Sequence, residues 1–302
     1  MNISNFFSSL FSKKPSFEEL VEKLISVIKE KTKQQSFNLI ISPEKEISLF
    51  TTKLGGIPYW NVSESNVDFP LDEHNKPMSL LAQINFEEVP EKNELLPEKG
   101  ILQFFVAAKD AYFGANFENP TEQKNFKIVF HKDILKTIKT EDVEKHFGLL
   151  PPEECEIPVQ KEVALVFAQS ESYPSVDEEK FEKIFQESVK EVFNKDFEGS
   201  YQEFFTDKNF ENGKSFRKQF FQAFNDKQNA LLGYPLFCQG DPRLDLSENE
   251  RDLFDTTLLK LNSYSHSDYI MWGDMGVGNF LINKQALQEL DFSKVLYYWD
   301  CF

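Results

Sequence analysis

The sequence predicts an α+β protein: mostly antiparallel sheets in two related, duplicated halves, with amphipathic helices flanking them. Three observations lead there. Short apolar runs follow one another with loops, not helices, between them, which favours antiparallel pairing. Two segments, beginning at Phe17 and Phe181, carry apolar residues at helical spacing. Four blocks near one end of the chain recur in the same order near the other.

The first element is a helix from Ser16. Ser16 and Glu19 form a capping box, each side chain satisfying a free backbone donor of the other. Phe17, Leu20, Val21, Leu24, Ile25 and Ile28 then share one face, and lysines at the far end suit the helix dipole. Strand-like runs follow at 38–41, 47–50, 79–86, 100–107 and 126–130. The turn-forming "KLGGIPYW" at 53–60 lies between the second and third. Residues 131–161 read as mixed, with a helix or two. "EVALVFA" at 162–168 is a strand. A second strong helix spans 175–197, with Phe181, Ile184, Phe185, Val189, Val192 and Phe193 at helical spacing, and another covers about 214–231. The chain closes with strands at 257–262 and 294–299 around the glycine-rich "MWGDMGVGNFLI".

The recurring blocks give the domain plan. Leu54-Gly55-Gly56-Ile57-Pro58, Leu80-Leu81-Ala82-Gln83-Ile84-Asn85, Gly100 to Val106 and Lys127 to Phe130 lie in one half. They match Leu231-Leu232-Gly233-Tyr234-Pro235, Leu258 to Asn262, Gly276 to Ile282 and Lys294 to Tyr297 in the other. The spacing from proline to the Leu-Leu pair is 22 residues in one half and 23 in the other, and from that pair to glycine 20 against 18. Gly-x-Pro turns and apolar strands do recur in unrelated mixed proteins, but four in order at similar spacing favour duplication. The plan is therefore an N-terminal helix with lead-in strands over 1–50. Repeat halves at 51–135 and 231–302 follow, with a helical insert over about 136–230 between them.

Composition excludes several classes. At 40% hydrophobic and 15% aromatic, with 32 phenylalanines, the chain of 302 residues can bury a large core and is not globally disordered. Its net charge of −17 opposes nucleic-acid binding, since a duplex partner needs clustered cations, and suits simple solubility or, as the sharper reading, attraction to a basic protein partner. Arginine occurs only at 217, 243 and 251. Cys155, Cys238 and Cys301 are scattered and odd in number, which suits reduced thiols in a cytoplasm better than disulfides or a zinc site. The start of the chain does not read as a signal peptide, and no run is long enough for a membrane span. Phe6, Phe7, Leu10 and Phe11 could make a short apolar face beside Lys13 and Lys14; a docked or frayed terminus is the simpler reading.

The blocks "KLGGIPYW", "PMSLLAQINFEEVP", "LPEKGILQFFV", "KDAYFG", "LLGYPLFCQGDPR", "MWGDMGVGNFLI" and "DFSKVLYYWDC" together resemble the YwqG-like family, a bacterial family of unknown function, over roughly residues 50–302. The resemblance implies a single-chain cytoplasmic α+β protein. It implies no reaction, cofactor or catalytic set. The family's second-half block usually reads Leu-Leu-Gln with an aspartate two residues on; Lys260 and Asn262 stand there in this chain.

No catalytic signature is complete. A dinucleotide fingerprint counted from Gly276 would need a small residue where Leu281 stands, and the stretch opens a strand, not a helix. No P-loop, nucleophile elbow, zincin helix or EF-hand loop occurs, and His74, His131, His146 and His266 are far apart. No cofactor and no metal are therefore expected. Asp241, Asp274 and Asp300 remain. Their leading reading is turn capping. The other reading places Asp241, Arg243, Trp272, Asp274, Trp299 and Asp300 around a polar, aromatic cleft between the halves. The expectation for function is a non-catalytic binding module with an acidic surface, of the inhibitor or immunity type. The alternative is an enzyme or small-ligand receptor using that cleft.

Overall fold

The computed structural model describes residues 15–63, 68–151, 154–178, 180–263 and 268–302. The apolar N-terminal face expected at Phe6, Phe7, Leu10 and Phe11, and His266, lie outside the described residues. In chain order the elements are α1 (Phe17–Thr32), β1 (Gln34–Ile41), β2 (Lys53–Leu54), β3 (Ser79–Asn85), β4 (Ile101–Val106), β5 (Phe126–His131) and α2 (Thr140–Phe147). Then come β6 (Val163–Ser172), α3 (Phe181–Phe193), α4 (Tyr201–Phe204), α5 (Gly213–Ala223) and β7 (Ala230–Leu231). The last are α6 (Glu248–Arg251), β8 (Thr256–Asn262), β9 (Val277–Ile282), α7 (Lys284–Glu289) and β10 (Leu296–Asp300). This is an α+β protein. No described helix is long and apolar enough to cross a membrane.

The chain divides into two compact units, Met1–Lys33 with Lys180–Asn225, and Gln34–Glu179 with Asp226–Phe302. The first is helical. Its α1 starts on the expected capping box: Glu19 N–H donates to Ser16 Oγ at 3.2 Å and Ser16 N–H to Glu19 Oε2 at 2.6 Å. Phenylalanines fill its interior. Phe17 stacks on Phe210 with ring centroids 4.0 Å apart, and Phe185 meets Phe204 edge-on at 5.6 Å. Each buried ring contributes about 2 kcal/mol by leaving water, and edge-to-face pairing adds to that. The helix read at 175–197 is shorter, because Asn194 adopts a left-handed conformation (φ 50°) that ends α3. The helix read at 214–231 merges two elements: α5 ends at Ala223 and the chain re-extends into β7.

The second unit holds a ten-stranded antiparallel sheet in the order β10-β9-β8-β7-β1-β6-β2-β3-β4-β5. β1 and β6 form its centre, pairing from Gln34↔Ser172 to Ile41↔Leu165. The strand expected at 47–50 is instead a turn, closed by Ser48 N–H donating to Thr51 Oγ1 at 2.9 Å, with Leu49 buried. Strands β3, β4, β8 and β9 are covered on both faces, so their sequences read as continuous apolar runs. The sheet curls. Phe104 on β4 meets Phe280 on β9 at 4.9 Å, and Phe126 on β5 meets Tyr297 on β10 at 5.1 Å, although these strands are far apart in the sheet order. One large core fills the concave face, and smaller clusters cover the convex face.

The loop after β4 joins the two edge strands. Tyr297 N–H donates to Pro120 O at 2.9 Å, Ile128 N–H to Gln123 Oε1 at 3.2 Å, and Gln123 Nε2 to Phe292 O at 2.7 Å. Edge groups that would otherwise invite another strand are partly satisfied within the chain.

Candidate functional site

Polar side chains on the convex face of the sheet are held by the two Gly-x-Pro loops. Gln83 Oε1 accepts from Tyr59 N–H at 2.9 Å, while Gln103 Nε2 donates to Tyr59 O at 2.8 Å. Gln83 Nε2 donates to Leu49 O and Thr51 O, both at 3.0 Å, so its amide is fully used. Across the sheet Asn279 makes the same kind of clamp on Leu236, accepting from its N–H at 3.3 Å and donating to its carbonyl at 2.7 Å. Gln83, Gln103 and Asn279 are fully buried, and no water could replace these bonds.

His131 and Asp300 end the two rows, each opposite the first residue of its neighbouring strand, Ile101 and Val277. His131 Nε2–H donates to Gln103 Oε1 at 2.9 Å, and the ring lies between Tyr59 and Trp60. Burial pulls its pKa down to about 4. Asp300 Oδ2 accepts from the Cys238 and Gln239 amides at 2.8 and 2.7 Å, while its buried Oδ1 has no hydrogen-bond partner. Burial pushes the Asp300 carboxyl up to about 6, opposed by those two amides and helped by Asp177. Burial, with Asp300 alongside, lifts the Cys238 thiol to about 12. Burial thus disfavours the Cys238 thiolate, the form that attacks as a nucleophile. Among the described residues no group of histidine, cysteine or carboxylates is arranged to hold a metal ion.

These shifts give opposite pH dependences. His131 carries a depressed pKa, so its stabilisation is complete above the ordinary value of 6.5 and is lost as pH falls through about 4. That window is worth about 3 kcal/mol. Asp300 carries a raised pKa, so its contribution is present below the ordinary 3.8 and is lost as pH rises through about 6. His131→Gln is expected to resist acidification from pH 6.5 to 4 better than the parent chain, and Asp300→Asn to resist it less well. Urea titrations across that range measure both.

The six predicted residues fall into four places. Asp241 and Arg243 are together and buried: Arg243 Nη2 lies 2.6 Å from Asp241 Oδ2 and 3.2 Å from Glu178 Oε1. Asp241 Oδ1 also caps the Arg243 amide at 3.0 Å, the expected turn-capping role. Trp272 and Trp299 are neighbours with ring centroids 6.1 Å apart, Trp272 fully buried and packed on Phe113 and Tyr297. Asp300 is held by the 236–239 backbone. Asp274 is exposed, and its carbonyl accepts from Phe302 N–H at 3.3 Å.

What the tryptophans support is the loop after β4. Trp299 Nε1 donates to Tyr112 O at 2.7 Å, and Tyr297 Oη to Phe113 O at 2.8 Å. The loop encloses a surface depression lined by Glu73, Asp110, Glu118, Glu122 and the single cation Lys124, with the Tyr112 and Phe117 rings at its rim. Tyr112 is 60% exposed and Phe117 45%, unusual for large rings beside a well-filled core. Sequence reasoning passed over both. The available signal was an aromatic pair inside a carboxylate-rich loop, adjoining the "KDAYFG" block.

A family model described as a domain of unknown function (DUF1963) matches residues 52–301. The chain belongs to this family. The DUF1963 region contains every strand from β2 to β10, both clamps and the acidic depression. Comparison with curated proteins gives no match.

Proposed function

We propose that this DUF1963 protein is a non-catalytic binding module that takes a basic protein partner onto the acidic, aromatic depression around Tyr112 and Phe117. One observation carries this reading: four carboxylates and two exposed rings converge there against a single lysine. A lysine or arginine of a partner would meet carboxylates and an aromatic face together, a combination suited to cations. The net charge of −17 would steer such a partner in. Gln83, Gln103 and Asn279 are engaged in holding loops, whereas the rings and carboxylates of the depression face outward.

Fluorescence polarisation with arginine- and lysine-rich peptides tests it. Binding is expected to weaken as salt rises, and Glu73→Lys with Glu118→Lys is expected to lower affinity about tenfold or more. Equal binding by glutamate-rich peptides, or no effect of the reversal in a folded variant, counts against it.

We also propose that the chain is a bacterial, cytoplasmic, YwqG-like protein and that its halves at 51–135 and 231–302 arose by duplication. Support for duplication comes from matching irregularities. The β3–β4 pairing shifts register between Leu80 and Ala82, and the β8–β9 pairing between Thr257 and Leu259. Consecutive left-handed residues follow both β2 (Gly55, Gly56) and β7 (Leu232, Gly233). The unpaired cysteines fit a reducing compartment.

A further inference from the structure

A cavity of about 290 Å³ opens in the sheet unit beside the Gly-Gly-Ile-Pro turn. It shares no lining residue with the Tyr112 depression. Its walls are apolar, with Ile57, Leu80 and Val159 among them. Its volume is near the lower end of the range of small-molecule sites.

The polar lining is biased towards acceptors. Glu144, Gln160 and Glu162 all face the cavity. Gln160 Nε2 is spent on Pro158 O at 3.2 Å, which leaves its carbonyl oxygen as the available group. Glu162 is anchored on one side, where Lys53 Nζ reaches its Oε1 at 2.9 Å and the Ile57 carbonyl at 2.7 Å. Lys53 is buried, and desolvation lowers its pKa while Glu162 opposes that shift, so the pair holds the carboxylate in place. The cation that lines the cavity, Lys161, lies 5.9 Å over the Tyr269 ring. An apolar chamber with carboxylates in its lining selects a donor head on an apolar body. We propose that this cavity binds a small organic amine, its ammonium group at Glu162 and Glu144 and its hydrocarbon against the Ile57–Leu80–Val159 wall.

Cys155 lines the same cavity and reports on it. Alkylation of Cys155, followed by peptide mass mapping with Cys301 as internal reference, is measured with hexylammonium, hexanoate or hexanol added. Hexylammonium is expected to slow Cys155 labelling about threefold at concentrations above its dissociation constant, with hexanoate and hexanol ineffective. Glu162→Gln is expected to weaken the protection about tenfold, the effect of losing one charge-assisted hydrogen bond. Because Glu162→Gln also strips Lys53 of its partner, Val159→Phe is the second variant: it fills the chamber, leaves the ion pair intact and is expected to abolish protection. Protection by hexanoate equal to that by hexylammonium, or none by hexylammonium in the folded parent chain, overturns the proposal.

Discussion

Arg243→Met is expected to cost about 3–5 kcal/mol of folding stability, measured by urea denaturation at neutral pH. The Arg243 guanidinium is engaged on every side. Its Nε reaches both Asp241 oxygens at 3.0 and 3.1 Å, its Nη2 reaches Asp241 and Glu178, and its Nη1 donates to Phe254 O at 3.1 Å. The side chains of Arg243, Asp241 and Glu178 are 8%, 0% and 7% exposed, so water cannot substitute. Methionine matches the length of the stem, yet it takes the guanidinium away from two buried carboxylates. The loss is thus mostly the penalty of burying that charge without its guanidinium rather than the worth of the pair. Two consequences separate these terms. Glu178→Gln added to Arg243→Met should recover part of the loss, a non-additivity expected of groups in one network. Arg243→Lys should fall between parent and methionine, because a single ammonium cannot span both carboxylates and the Phe254 carbonyl as the planar fork does. If Arg243→Met unfolds at the same urea concentration as the parent chain, the cluster contributes nothing.

Much of the architecture was legible where the determinant is local. Ser16 and Glu19 are three residues apart, and their capping box could be read directly. The Gly-x-Pro turns, and the apolar runs of β3, β4, β8 and β9, were legible for the same reason. The centre of the sheet was not. β6 lies inside the segment read as a helical insert, and nothing in "EVALVFA" says that it pairs with β1, more than a hundred residues away. That pairing is decided by tertiary burial. The candidate site divides the same way. Asp241 and Arg243 are two residues apart, so their contact is local, but Glu178, which completes their cluster, is 65 residues from Arg243. Trp272 and Trp299, expected in one cleft with Asp241, Arg243, Asp274 and Asp300, pack against each other. Their role, supporting the Tyr112–Phe117 loop from beneath, required knowing that the sheet curls until β10 meets the β4–β5 connection. The carboxylates of that loop were hidden by the overall acidity of the chain, in which no single cluster stands out.

Gly276→Ala and Gly278→Ala are expected to be the most damaging single-methyl additions in the glycine-rich stretch, each costing about 3 kcal/mol or more, with different rescue behaviour. A Cβ on Gly276 would stand 2.0 Å from the Asp300 carbonyl oxygen and 2.8 Å from that of Trp272. Both obstacles are backbone. The Gly276 amide also donates to Trp272 O at 2.8 Å, so the turn cannot open without losing that bond. A Cβ on Gly278 would instead stand 2.3 Å from the Trp272 ring. Here the obstacle is a side chain, fully buried and packed against Phe113, Tyr297 and Trp299. Shrinking that ring should therefore help one variant and not the other. Trp272→Leu alone leaves a cavity and destabilises the chain. Combined with Gly278→Ala it should be markedly less harmful than the sum of the two changes, because the added methyl enters the space the indole vacates. Combined with Gly276→Ala the costs should simply add. A double-mutant cycle on thermal or urea unfolding reads this directly. Equal coupling of Trp272→Leu to both alanine variants would mean that the indole does not enforce glycine at 278. The same contact accounts for the spacing of these glycines: they admit the C-terminal backbone and the Trp272 ring, a packing requirement that a phosphate-binding loop would not share.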